Sequence, residues 1–150
     1  MPQPPSWRRP GPTGDPSSAL KQVLRNAYFL VLVDEQRGLI HSSRTNTPFA
    51  SMEEVEDAFA ELGKVLDGLG RSRYVLLADI RAAPGRNDPQ FEAVLQRVRP
   101  RWVAGFRKVG VLVQSAVGKL QINRYARQDG IPRLVTDDEE ELLQYLLQED

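Results

Sequence analysis

The loop from Arg81 to Asp88 carries the residue types best suited to bind an anion. Arg81 and Arg86 can donate charge-assisted hydrogen bonds to a phosphate or a carboxylate. Asn87 and Asp88 directly precede a predicted helix, whose first free N–H groups also favour negative charge. Ligands of open α/β sheets bind beyond the carboxyl ends of strands, and an apolar strand precedes this loop. These four residues are the predicted binding site, although a capped loop with arginines paired to nearby aspartates would show the same pattern.

Few residues could support catalysis or hold a metal ion. The chain has no cysteine and one histidine, which excludes thiol chemistry, thiolate metal sites and a histidine cluster. His41 and Ser42 are adjacent in a predicted strand, where they face opposite sides and cannot form a catalytic pair. Gly118-Lys119 lacks the flanking residues of a phosphate-binding P-loop. We therefore expect no catalytic residue, no metal ligand, no cofactor and no enzymatic activity.

The distribution of charge bears on the kind of partner. Twenty basic and twenty acidic residues give a net charge of zero, whereas general nucleic-acid binders carry a basic excess. Nine basic and three acidic residues lie between Arg71 and Lys108, and seven acidic residues lie between Asp137 and Asp150. Patches of opposite sign can orient a protein partner or join two copies into a homodimer. Acidic residues at a helix N-terminus are also favourable without any partner.

A second candidate surface surrounds Trp102. Arg101 precedes it and Arg107 follows shortly after, and aromatic and arginine side chains are enriched at the centres of protein interfaces. Packing of Trp102 beneath the sheet is the alternative use of the same residue. Of the two, core packing is favoured for Trp102, and an interface that includes Arg101 and Arg107 is the second possibility.

The first nineteen residues differ in composition from the rest of the chain. They contain six of the eleven prolines and many small polar residues, so they offer too little apolar surface to fold. We predict a disordered proline-rich arm over residues 1–19 and a single domain over residues 20–150. The longest apolar run, Ala27 to Val33, is far shorter than the ~20 residues of a membrane-spanning helix. With no signal-peptide core in the arm, we expect a cytoplasmic protein without membrane insertion.

Hydrophobic patterning predicts alternating strands and helices after an opening β-hairpin. Apolar strands are predicted at 27–33, 73–80 and 108–113, with a half-exposed returning strand at 39–44 and a short strand at 132–135. Helices are predicted after Ser51, after Asn87 or Asp88, after Ser115 and after Thr136, with a short helical piece over 101–106. The expected fold class is α/β, with a mostly parallel central sheet of about five strands packed with helices.

This order of elements resembles the STAS-like domains of anti-sigma-factor antagonists and of sulfate-transporter tails. The resemblance covers about Val23 to Leu147 and looks most like small stand-alone bacterial members over 73–80, 108–113 and 115–124. It implies a regulatory, signalling module that contacts other proteins. Anti-sigma antagonists carry a phosphorylated serine or threonine in an Asp-Ser-Ser-Gly type loop. Asp79 is in place here, but no hydroxyl follows it through Ala83, so we do not expect that switch.

Two functions therefore remain open from the sequence. The first is a non-enzymatic interaction module that docks a protein partner at the 81–88 loop, in keeping with the resemblance. The second is a sensor domain that binds a nucleotide, a lipid or another small anion at the same loop. An enzyme is a third class, but the serines and threonines at helix starts are better explained as caps.

Overall fold

The computed structural model describes residues 20–86 and 88–148, and the arm predicted over residues 1–19 lies outside them. The strands are β1 (Lys21–Arg25), β2 (Phe29–Asp34), β3 (Leu39–Arg44), β4 (Val75–Asp79), β5 (Val109–Leu112) and β6 (Leu134–Thr136). The helices are α1 (Met52–Leu69), α2 (Pro89–Val98), α3 (Pro100–Val103), α4 (Ala116–Asp129) and α5 (Glu139–Leu147), with a 3₁₀ turn at Arg71–Arg73. The described residues therefore have an α/β fold, as predicted.

The strands of the described residues form one six-stranded sheet in the order β1-β2-β3-β4-β5-β6. The first two pairs are antiparallel, and the three pairs from β3 to β6 are parallel. The chain moves from β3 to β4, β5 and β6 in order, always toward the same edge of the sheet. Right-handed crossover connections in one direction place their helices on one face of the sheet. Helices α1 to α4 contribute to the core cluster that contains Ile40 and Leu76, whereas α5 packs with Leu39 and Leu77 on the other face.

The local sequence of α1 accounts for its boundaries and its buried side. Ser51 Oγ accepts a hydrogen bond from Glu54 N at 3.1 Å, which confirms the predicted N-cap. The Ser51 and Glu54 spacing also predicts that Glu54 accepts a hydrogen bond from Ser51 N, but Glu54 Oε2 accepts from Ala50 N at 3.0 Å and from Tyr28 Oη at 2.5 Å instead. The apolar face predicted from the helical spacing is buried against the sheet and includes Val55, Phe59, Leu62 and Leu66.

Three expectations about the elements are wrong. The opening hairpin is preceded by β1, an edge strand that the sequence hides because residues 21–25 lack an apolar alternation. The strand at 39–44 is not half-exposed: His41 is 1% exposed, because β3 lies between β2 and β4 and is covered on its α5 face. Thr136 does not cap α5, because Asp138 Oδ1 accepts from Glu141 N at 3.2 Å and Thr136 Oγ1 accepts from Asp138 N.

Replacement of Gly110 should test the close contact between β5 and α5. A Cβ at this position would lie 2.9 Å from Leu142 Cγ, so Gly110→Ala must displace α5 or strain the strand. We expect a loss of about 1–3 kcal/mol in the free energy of unfolding, measured by urea titration. Gly68→Ala is the control, because nothing lies within 4 Å of a Cβ there and alanine favours the helix by about 0.5–1 kcal/mol. Equal stability of Gly110→Ala and the unsubstituted protein would contradict the contact.

Candidate ligand-binding pocket

A pocket of about 370 Å³ opens between α2, α4 and the helical face of the sheet. Ile80 and Arg81, just beyond the end of β4, and Val113 and Gln114, just beyond the end of β5, form part of its wall. Ligands of parallel sheets bind at this end of the strands. The pocket is lined mostly by apolar and aromatic side chains. Within residues 20–86 and 88–148, four arginines line it and no aspartate or glutamate does.

Arg99, which joins α2 to α3, is the most deeply buried charge of the pocket wall. Its side chain is 6% exposed, and its guanidinium lies 4.1 Å from the centre of the Tyr125 ring. Nε donates to Asp129 Oδ2 at 3.1 Å. Nη1 and Nη2 are shielded from solvent and have no hydrogen-bond partner in the described part of the chain. Burial lowers the pKa of Arg99, and the bond to Asp129 only partly opposes this.

Asp129 cannot neutralise Arg99 completely, because it is shared with another guanidinium. Arg133 Nη2 donates to both Asp129 oxygens at 2.6 Å, and the Arg133 side chain is 1% exposed. Burial by itself raises the pKa of Asp129, but hydrogen bonds from Ile131 N and Arg133 outweigh it and hold the pKa below its ordinary value. One carboxylate therefore faces two buried guanidiniums.

Arg44, at the end of β3, is a second buried cation in the pocket wall. It is 8% exposed, and it donates to Tyr28 O at 2.8 Å and to Thr47 O at 3.2 Å. Its guanidinium lies 4.4 Å from the centre of the Phe49 ring. No carboxylate of the described residues forms an ion pair with it. Burial lowers the pKa of Arg44 to about 10, so it is protonated at neutral pH.

Aromatic rings form the apolar part of the pocket. Phe49 lies 6.3 Å from Phe91 and 6.5 Å from Phe59, measured between ring centres. Phe59 meets Trp102 edge to face at 6.0 Å. Trp102 Nε1 is buried and has no hydrogen-bond acceptor among the residues described. Such a surface can accept an apolar ligand body.

Helix α4 closes the pocket through polar contacts more than through apolar packing. Arg124 Nη2 donates to Glu92 of α2 at 2.9 and 3.1 Å. Tyr125 Oη accepts from Gln121 Nε2 at 2.7 Å, and its pKa is raised by burial and by the nearby Glu92 carboxylate. The bonds between Arg124 and Glu92 link α4 to α2. Tyr125 is the buried residue of α4, so this helix is held to the sheet by a small apolar contact.

The structure places Arg81 at the rim of the pocket but gives it internal partners. Arg81 donates to the two oxygens of Asp79 at 3.0 and 2.8 Å and to Glu139 Oε1 of α5 at 3.3 Å. His41 Nε2 lies 3.7 Å from Asp79 Oδ2. Burial by itself raises the pKa of Asp79, but the hydrogen bonds from Arg81 prevail and lower it. Arg81 thus connects β4 to α5, and the carboxylates of Asp79 and Glu139 compensate its positive charge.

Arg86, the other predicted arginine of the loop, also lines the pocket and is also paired. Arg86 Nε donates to Asp88 Oδ1 at 2.5 Å, and its guanidinium lies 4.8 Å from the Phe91 ring centre. Asp88 Oδ2 accepts from Phe91 N at 3.2 Å, which confirms it as the N-cap of α2. Asn87 lies outside the described residues. The loop is therefore largely occupied with its own ion pairs and cap.

The second predicted surface divides into a buried and an exposed part. Trp102 is 6% exposed and meets Phe29 edge to face at 5.2 Å, so its ring is not offered to a partner on the surface. Core packing, the alternative left open by the sequence, describes its position. Arg101 and Arg107 are exposed, and they do not line the pocket.

Sequence reasoning missed Arg99 and Arg44, which the structure makes the most informative residues of the site. Arg99 precedes the helix-breaking Pro100, and Arg44 ends a strand, so each resembles a solvated arginine in sequence. The residues that bury Arg99 come from α4, thirty positions further on. No local signal separates a buried arginine from an exposed one. Trp102 packs in the core, as one of the two interpretations from the sequence has it, and also lines the pocket.

The described residues contain no group of three or more His, Cys, Asp and Glu side chains that could hold a metal ion. None of their helices is both long and apolar enough to cross a membrane.

Comparison of the chain with protein-family models, with curated proteins and with solved structures found no match. The geometry of the pocket therefore carries the functional argument.

Asp79→Asn should reveal how much the link between β4, Arg81 and α5 contributes. Loss of a buried, hydrogen-bonded carboxylate should reduce the free energy of unfolding by about 1–3 kcal/mol at pH 7. Because the folded-state pKa lies below the unfolded value of 3.8, the contribution is complete well above 3.8 and is lost as pH falls through the folded pKa. Urea titrations from pH 7 to below pH 3 should show the two proteins converging.

The control for this measurement is Asp67→Asn. Asp67 also accepts a hydrogen bond from an arginine, Arg71, but its side chain is 73% exposed. We expect a change of at most about 0.5 kcal/mol. A stability difference between Asp79→Asn and the unsubstituted protein that stays constant down to the lowest pH would contradict the assigned role of Asp79.

Proposed function

We propose that this chain is a non-enzymatic binding protein for a small organic anion with an apolar body. The ligand occupies the pocket between α2 and α4. The observation that carries this proposal is the buried Arg99 guanidinium, whose Nη1 and Nη2 have no hydrogen-bond partner among the described residues. This is the sensor function considered from the sequence, moved from the surface of the 81–88 loop into the pocket behind it.

The unsatisfied donors favour a ligand because their burial is costly. A buried donor without an acceptor costs about 1–3 kcal/mol, and more when it belongs to a charged group. A carboxylate or phosphate can accept a hydrogen bond from each of the two Nη groups, and arginine recognises such planar or tetrahedral anions in this forked manner. Asp129 occupies Nε, and the two Nη groups at the outer end of the guanidinium have no partner among the described residues.

The rest of the pocket supports an apolar ligand body. Its volume of about 370 Å³ falls within the ~300–1,000 Å³ of small-molecule sites, which are mostly apolar with a few well-placed polar groups. Phe49, Phe91 and Trp102 supply the aromatic surface. A small inorganic anion would satisfy Arg99 but would leave this surface uncovered, so the geometry favours an organic acid.

A protein partner at the 81–88 loop has less support from the geometry. Arg81 and Arg86, the residues proposed to hold it, both have carboxylate partners within the chain. We keep the regulatory role implied by the STAS-like resemblance as part of the proposal. In that role, ligand binding in the pocket is the regulatory event. The same resemblance implies a cytoplasmic signalling protein.

Ligand-induced stabilisation should test the proposal with matched acids and neutral amides. We expect octanoate or naphthoate, but not octanamide or naphthamide, to raise the melting temperature, since binding at about a hundredfold excess over Kd adds about 2.7 kcal/mol. Arg99→Met should abolish the shift while the fold is retained, because Asp129 keeps Arg133 as its partner. Arg99→Lys keeps the charge but loses the forked donors, so it should bind the acids more weakly.

The matched control is Arg97→Met, because Arg97 is exposed, pairs with Glu56 and does not line the pocket. It should show the same ligand-induced shift as the unsubstituted protein. Far-UV circular dichroism checks the fold of each variant. An equal shift with acid and amide, or an undiminished shift in both Arg99 variants, would refute the proposed function.

A further inference from the structure

The positive charges around the pocket are not all compensated. Arg81 forms ion pairs with Asp79 and Glu139, and Arg86 forms one with Asp88. The positive charges of these two arginines are therefore compensated. Arg99 and Arg133 share the single carboxylate of Asp129, which leaves one positive charge in excess. The pocket wall near α4 is therefore positively charged.

Arg44 supplies a second uncompensated charge elsewhere in the same wall. It donates hydrogen bonds to the main-chain oxygens of Tyr28 and Thr47, which carry no full negative charge. Across residues 20–86 and 88–148, no aspartate or glutamate forms an ion pair with it. The guanidinium is covered instead by the rings of Phe49 and Phe29, at 4.4 and 5.6 Å.

The two excess charges come from different structural elements of the pocket wall. Arg44 belongs to β3 and stacks near Phe49, whereas Arg99 belongs to the α2–α3 junction and stacks over Tyr125 of α4. The aromatic side chains of Phe59, Phe91 and Trp102 line the same pocket. A ligand that pairs with both cations therefore needs two negative charges, and the aromatic lining favours an apolar body between them.

We infer that the natural ligand is a dianion, with two acidic groups held apart by an aliphatic or aromatic body. This inference rests on the proposed function and names the chemical class of its ligand. Buried charges are tolerated in proteins when they are paired, because the surrounding medium screens them poorly. A monoanion would pair with one of the two cations and leave the other buried without a counter-charge.

Isothermal titration calorimetry with matched monoacids and diacids tests this inference. Octanoate is compared with octanedioate, and benzoate with terephthalate, so that each pair differs by one carboxylate. The unsubstituted protein should bind the diacid of at least one pair about tenfold or more tightly than its monoacid. Arg44→Met should reduce this ratio to about one with little change in monoacid affinity, whereas Arg44→Lys, which keeps the charge, should retain a preference for the diacid.

Arg97→Met is the matched control, because Arg97 is exposed, pairs with Glu56 and does not line the pocket. It should leave the ratio of diacid to monoacid affinity unchanged. Equal affinity for both members of each pair, or a ratio that persists in Arg44→Met, would overturn the dianion inference while the proposed function stands. Binding of neither acids nor diacids by the folded protein would overturn both.

Discussion

The parallel strands of this protein must be covered on both faces, and the way the chain meets that requirement creates the pocket. Three successive crossovers in one direction put α1 to α4 on one face, so the other face receives α5. The close approach of α5 at Gly110 seals that face. On the crowded face, α4 packs less completely than α1, and the space left between α2, α4 and the sheet becomes the pocket.

The arginines of the pocket illustrate two different uses of the same side chain. Arg81 joins β4 to α5 through Asp79 and Glu139, which makes it a structural connection with its charge balanced. Arg99 and Arg44 are more deeply buried and are only partly balanced, although rings of Tyr125 and Phe49 cover them. Because an unbalanced buried charge is costly, these two residues are the basis of the proposed ligand binding.

Much of the fold follows from patterns that are local in the sequence. The apolar face of α1, its cap at Ser51 and the buried strands β4 and β5 were all predictable from spacing and residue type. Strand β1 and the burial of His41 were not. An edge strand needs little apolar character of its own, and the exposure of a central strand depends on which neighbours pair with it.

The candidate site divides in the same way. Residue types and helix-start signals were enough to place the 81–88 loop at a strand end and to identify Asp88 as a cap. Which arginine would have a counter-charge depended on contacts across long chain separations, such as Arg99 with Asp129 and Arg81 with Glu139. Caps and amphipathic faces arise from neighbours three or four positions away, so sequence specifies them. The electrostatic balance of a pocket is a sum over residues that meet only after folding.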